Sequence, residues 1–278
     1  MKHQLEGYIQ LTFERRNERT VASEVYHEGN SRVSSQVVLH SENVPYYFLI
    51  NSGGGFIEGE RYKVDLEIKK DARALLTSQA PTYVYKCDNG LMTTQDSVID
   101  LNENSFLEYI TDEVIPFKNS NYRQTTTINM KDTSTLILLD GVTSGWSDDE
   151  LPFKYANLQL KTTIYMNDRL FYNDHLITEP LHDSMESLGY FEEYLNYNSL
   201  VVISPNCTDE IVTAIRKELN MQDFTADFGL SQLEKPGFVM RSLAKTSEEN
   251  HHVLMYALNL FREKAFGLPE LELGKNHQ

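Results

Sequence analysis

The stretch Asn51-Ser52-Gly53-Gly54-Gly55-Phe56-Ile57-Glu58-Gly59-Glu60 has the glycine density of a nucleotide-binding loop. A phosphate loop needs Gly-Lys-Ser/Thr opening a helix, so that backbone N–H groups and a lysine converge on phosphates. Here Glu60 follows Gly59, and its charge would repel a phosphate. Tyr62-Lys63-Val64-Asp65-Leu66-Glu67-Ile68 then alternates as a strand does. The glycines are therefore expected to serve backbone geometry, through positive φ and close approach of two chain segments. Downstream, Thr77-Ser78-Gln79 extends the apolar strand Ala74-Leu75-Leu76 with neutral polar groups. Asp140 ends Leu136-Ile137-Leu138-Leu139 in a similar way. Buried polar groups need partners. Thr77-Ser78-Gln79 is thus either a hydrogen-bonded strand end or part of an interior polar path, and Asp140 either a turn-former or an interior charge.

Catalysis would need a nucleophile–base pair or a metal cluster. No histidine stands in HExxH or HxH spacing. His251 and His252 are adjacent on an expected helix, about 100 degrees apart, and read as solvated side chains. His175 and His182, with Asp174, Glu179 and Asp183, could make an oxygen/nitrogen metal site, but acidic loops are common in so acidic a chain. Asp148-Asp149-Glu150 reads as a solvated turn, and Cys87 as an inert thiol without a companion.

The elements that must position these residues are mostly strands. Leu11–Glu14 leads through Arg16-Asn17 to Thr20–Ala22, and 37–40 through Glu42-Asn43 to Tyr46–Ile50. Val64–Ile68, Val98–Leu101, Thr127–Met130 and Thr163–Met166 are each followed by an Asn/Asp turn and a second strand. The units recur at intervals of about 30 residues, a spacing at which repeat architectures are suspected. They read as stacked β-layers, either a solenoid or a sandwich, with parallel and antiparallel pairing left open. Thr208 caps a helix that stops near Asn220, and Thr246-Ser247-Glu248-Glu249 forms a capping box for a helix ending near Gly267. A strand at 238–243 lies between them, and the tail 270–278 is expected to be loose. The chain reads as one domain, with β-layers over 1–205 and a helix-containing part over 206–278.

A formal net charge of -16 argues against nucleic acid or an anionic membrane as the main partner. Two distant cysteines without CxxC spacing, no signal-like apolar run at the start, and apolar runs too short to span a bilayer point to a soluble, reduced, cytoplasmic setting.

Taken together, 50–61 and 72–86 resemble the urease accessory protein family called UreD or UreH, and the order continues through 106–109, 113–117, 140–146, 241–243 and the closing helix. The family usually has Gly-Gly-Asp where Glu58-Gly59-Glu60 stands, so Glu60 keeps the carboxylate with a longer reach. It often has Gly-Arg where Gly145-Trp146 stands, which removes a basic side chain. The resemblance implies a mainly β, solenoid-like (β-helix) stack of strands with C-terminal α-helices. It implies no catalysis and no permanently bound cofactor. Family members are scaffolds that bind apo-urease, recruit UreF and through it UreG, and assist nickel delivery to urease. An interior passage for nickel would here be lined by Glu60, Thr77, Ser78, Gln79 and Asp140, with Asp174 also a candidate. Such a route should use weak oxygen ligands, which permit release. The stripe Leu254, Leu258 and Phe261 reads as core, leaving Tyr256 and Asn259 as candidate partner-binding positions. The rival classes are a β-solenoid enzyme acting on polysaccharide, which needs a carboxylate pair, and an interaction module with no metal role.

Overall fold

The computed structural model describes residues 5–39, 41–234 and 236–275. Its turns are set by short polar side chains. Asn17, Asp71, Asn104 and Asn167 take positive φ between 49° and 59°, a region that Asn and Asp tolerate better than most residues.

The first such turn joins β1 (Gly7–Arg16) and β2 (Arg19–Gly29) into an antiparallel hairpin. A short β3 (Ser31–Val33) pairs antiparallel with β4 (Tyr46–Asn51). The chain then winds through β5 (Arg61–Ile68), β6 (Arg73–Ser78) and β7 (Thr82–Val84), and again through β8 (Thr93–Leu101), β9 (Phe106–Ile110) and β10 (Val114–Pro116). It continues through β11 (Asn121–Met130) and β12 (Thr135–Thr143), and ends the winding in a hairpin of β13 (Asn157–Met166) and β14 (Arg169–Thr178). β15 (Asn196–Ile203), α1 (Asp209–Leu219), β16 (Asp227–Gln232), β17 (Gly237–Ala244) and α2 (Ser247–Phe266) complete the order.

One sheet runs β14-β13-β11-β8-β5-β1-β2, with β1, β5, β8, β11 and β13 parallel. The other runs β16-β17-β15-β12-β9-β6-β4-β3, with β4, β6, β9 and β12 parallel. β7 and β10 pair parallel on a narrow third side. The molecule is therefore a β-solenoid, and the sandwich alternative falls away. Asn17 and Asn167 close hairpins within one sheet, whereas Asp71 and Asn104 turn the corner between the sheets. The same turn chemistry serves both, which is why pairing direction was illegible in the sequence. The strand expected at 37–40 is reduced to one bridge, Val37 to Tyr46, and His40 lies outside the described residues.

Between the sheets, Leu11, Leu66 and Ile99 of the first pack on Leu76, Leu107 and Leu138 of the second. On the other face of the second sheet, Leu75, Ile137, Leu139 and Leu200 are covered by Val212 and Ile215 of α1 and by Leu254, Leu258 and Phe261 of α2. Strands buried on both faces read as continuous apolar runs, as Leu136–Leu139 does. α2 has the Thr246 capping box and ends at Gly267 in the left-handed region. Beneath it lies a feature that the helical stripe did not reveal. Arg262, fully buried, donates to Glu108 and Glu42, and Arg73 reaches the same two carboxylates at 2.8 and 2.6 Å. Two cations thus balance two anions, as buried charge requires.

The tail is not loose over its described part. Leu271 and Leu273 are buried. Tyr46 Oη donates to the Leu273 carbonyl at 2.8 Å, and the Leu271 amide donates to Asn259 Oδ1 at 2.9 Å. Alternating apolar residues with backbone partners are enough to dock it; residues 276–278 lie outside the described residues. Among the described residues no helix is long and apolar enough to cross a membrane.

Candidate functional site

Side chains alternate along a strand, so residues two apart share a face. In the second sheet Leu76, Tyr109 and Leu138 point into the solenoid. Two residues further on, Ser78, Thr111 and Asp140 follow on the same inner face and line a cavity of about 120 Å³. The row continues across the register, from Asp140 to Ser199 and on to Arg241. Opposite it, the first sheet aligns Ser97, Thr126, Thr162 and Asp174. Two polar rows therefore face each other inside the solenoid, perpendicular to the strands. They meet where Arg241 donates to Asp174 Oδ1 at 2.9 Å.

Asp140 lies in the middle of this path. Burial pushes its carboxyl up to about 7, and the Asp174 carboxylate adds to the shift. Ser199, its register partner, is 5% exposed, and its Oγ has no hydrogen-bond partner among the described residues. A buried hydroxyl of this kind calls for a water or an ion. Ser78 Oγ donates to Asp112 Oδ2 at 2.9 Å and accepts from the Asp112 amide at 2.7 Å. Hydroxyls, an amide and separated carboxylates can hold a hard or borderline cation briefly at several points, without the thiolate and imidazole ligands that would trap it.

The expected site residues divide on these coordinates. Ser78, Gln79 and Asp140 line the cavity. Asp174 stands at the far end of the polar rows, tied to Arg241. Thr77 does not line it. It is fully buried on the helix-covered face of the second sheet, its hydroxyl donating to the Ile110 carbonyl at 2.5 Å. Period-two alternation forbids Thr77 and Ser78 from sharing a face. Glu60 also stands back from the cavity, accepting from the Ile57 amide and Tyr62 Oη, both at 2.7 Å; the Tyr62 ring is what reaches the lining. The glycines before it do serve backbone geometry. Gly55 has φ 149°, and a Cβ there would sit 2.6 Å from Tyr85 Cε2.

Tyr256 and Asn259 both have internal work. Tyr256 packs edge-on to Phe224 at 5.5 Å, and Asn259 holds the tail through Leu271. Both still border a shallow surface groove with Leu260, Leu268 and Pro269. The remaining candidates stay apart. His252 packs on Phe224, Asp148 pairs with Lys118, and Asp183 accepts from the Glu179 amide. Among the described residues no group of three His, Cys, Asp or Glu side chains could hold a metal ion. Cys87 and Cys207 are free, and burial raises both thiols, Cys207 to about 12.

Sequence reasoning missed Asp112, Thr111, Ser97, Thr126 and Arg241. The legible signal was Arg241, a lone charge inside the apolar strand 238–243. The others are ordinary strand polars until the two sheets are folded face to face.

Comparison with known proteins gives the chain its relatives. The family described as UreD urease accessory protein matches residues 5–273. A urease accessory protein UreD of Streptococcus salivarius is 48% identical over 276 residues, covering 99% of each chain. One of Streptococcus thermophilus is 47% identical over 271 residues, covering 98% of this chain and 97% of the relative. One of Lachnoclostridium phytofermentans is 33% identical over 269 residues, covering 97% and 98%. Identity of this extent, along a chain whose solenoid encloses a polar path, leads to one conclusion: the chain belongs to the UreD family of urease accessory proteins.

Proposed function

We propose that this chain is a non-catalytic urease maturation factor. It binds apo-urease and UreF, holds UreG through UreF, and offers nickel a route of weak contacts toward the urease active site in the cytoplasm. The observation that carries this reading is the pair of facing polar rows around Asp140. Ser78, Thr111, Asp140 and Ser199 on one side and Ser97, Thr126 and Thr162 on the other offer oxygen, and neighbouring strands lie about 4.8 Å apart. A cation can therefore exchange one partner for the next without complete loss of ligands. Nickel is the cargo here, not a resident cofactor.

The carboxylate of Asp140 lines the cavity together with that of Asp112. Its raised pKa makes proton and cation competitors for the same oxygen atoms, which keeps binding reversible near neutral pH. Further along, the Arg241 guanidinium holds Asp174. A cation arriving there must displace it, so Arg241 sets a barrier at the far end of the route. The test is Asp140→Asn in cells carrying the urease operon. The expected result is normal recovery of this chain with urease and UreF, but less nickel per urease and less urease activity. Unchanged nickel content would refute the route, and loss of the complex would make Asp140 a structural residue.

A further inference from the structure

The narrow third side of the solenoid carries an aromatic stripe that the interior path does not use. β7 and β10 pair in parallel register, Pro116 beside Val84, so Phe117 follows beside Tyr85. One coil further on, Phe117 bridges to Trp146. The Trp146 amide donates to the Pro116 carbonyl at 3.0 Å, and the Lys118 amide to the Trp146 carbonyl at 2.8 Å. Three successive coils thus bring three rings into one row. Tyr85 meets Phe117 edge-on at 4.9 Å, and Phe117 meets Trp146 at 4.9 Å with an interplanar angle of 37°. The glycine cluster fixes one end of the row, where Tyr85 Oη donates to the Gly54 carbonyl at 3.1 Å. The rings floor a surface groove of about 670 Å³. Trp146 is 54% exposed there, although tryptophan is highly buried on average. Exposed apolar surface of this kind marks interaction sites.

The rim narrows the chemistry of what fits on this row. Lys86 pairs with Asp88 at 2.7 Å, Lys118 pairs with Asp148 at 2.8 Å, and Glu58 accepts from the Asn89 and Leu91 amides at 2.8 and 2.9 Å. A sugar, covered in hydroxyls, would have to displace these bonds. A proline-rich segment in the polyproline II conformation brings apolar rings, and its prolines have no backbone N–H to satisfy. Its period fits as well. Polyproline II repeats every three residues, about 9.3 Å. Tyr85 and Trp146 stand two coils apart, about 9.6 Å at the spacing of adjacent strands. Prolines one turn apart therefore meet the first and last rings, with Phe117 between them. Beyond Trp146 the chain runs Asp148-Asp149-Glu150. Lys118 reaches Asp148 at 2.8 Å and Asp149 at 3.7 Å, and Glu150 is exposed. Three carboxylates around one ammonium leave this end acidic, which calls for a basic residue on the segment.

We propose that Tyr85, Phe117 and Trp146 form a docking groove for a partner segment in the polyproline II conformation, with prolines on the rings at either end and an arginine or lysine beside Asp149 and Glu150. Aromatic-lined grooves take such segments because the extended helix is largely formed before binding, so little conformational freedom is lost. Trp146 is the anchor, a part that tryptophan commonly plays in interfaces. The groove shares no lining residue with the Asp140 cavity, and its occupant has no need of a metal route.

Trp146 is the sole tryptophan of the chain, so its emission reports on this groove alone. The purified full chain is titrated with an acetylated peptide of nine prolines followed by two arginines. Emission should shift saturably to the blue as the indole loses water. A glycine–serine peptide of the same length, ending in the same two arginines, should leave it unchanged. By calorimetry, Trp146→Ala should weaken binding of the proline peptide by about tenfold or more. Asp149→Asn combined with Glu150→Gln should weaken it by about threefold and flatten its salt dependence. The proposal is overturned if millimolar proline peptide leaves the emission unchanged, if the glycine–serine peptide binds as well, or if Trp146→Ala binds like wild type. It is also overturned if cellohexaose shifts the emission where the peptide does not, which would make the groove a saccharide site. Should Trp146→Ala fail to fold, the two arginine peptides on the wild-type chain decide alone.

Discussion

The two ends of the solenoid interior are built by the same strands and differ in one respect. Toward one end Leu76 and Leu107 meet Leu66 and Ile99 in a dry core. Toward the other, two residues along the same strands, Ser78 and Asp140 meet Ser97 and Thr126 around a cavity. The apolar end supplies the cohesion that lets the polar end stay open. Apolar burial is worth roughly 25 cal/mol per Å², whereas buried polar groups contribute little net stability even when paired. A carboxylate such as Asp140 costs stability where it stands, which is what a functional position in an otherwise cohesive interior looks like.

That contrast can be broken most severely by exchanging the characters of the two ends. Leu136→Asp puts an unpaired charge into the dry core and is expected to destabilise the chain by about 4 kcal/mol or more, or to prevent folding. Soluble yield and chemical denaturation will show it. Leu107→Ala leaves a void at a fully buried position and should cost about 2–5 kcal/mol by the same measurement.

Asp140→Asn should act in the opposite direction. The folded-state pKa is about 7 against an ordinary 3.8. Between those values the folded state holds the proton more tightly than the unfolded chain does. Stability contributed by this group is therefore present at pH 4, falls as pH rises toward 7, and is flat above. The Asn variant lacks that slope and should be more stable than wild type at pH 8 by about 2 kcal/mol, after discounting for relaxation and water in the cavity. Denaturation at pH 5 and pH 8 distinguishes this from a simple packing effect. The smallest change is expected for Thr126→Val, on the cavity wall. It should alter stability by no more than about 1.5 kcal/mol, the net worth of one hydroxyl's hydrogen bond, while lowering nickel transfer modestly, measured as nickel per urease.

Much of this was readable from the residues. The Asn and Asp turns, both helix caps and the apolar faces follow from local physical chemistry and appear where expected. Asp140 and Ser78 stood out as polar ends of apolar strands. What was not readable depends on which strand meets which. Thr77 and Ser78 are neighbours in sequence with similar side chains, yet alternation sends them to opposite faces. Ser97, Thr126 and Thr162 align only through parallel registers between strands far apart in the chain, and Asp174 joins them through the antiparallel β13–β14 hairpin. The tail looked loose because its two leucines are separated by glutamate, and only the folded sheet supplies the Tyr46 hydroxyl that holds it.

Anomalous scattering at the nickel edge, from crystals of the full chain soaked in Ni²⁺, tests the interior route most directly. The expected result is density inside the solenoid between Ser78 and Asp140, lost in the Asp140→Asn variant. Nickel bound only at surface histidines, with the interior empty at saturating metal, would contradict it.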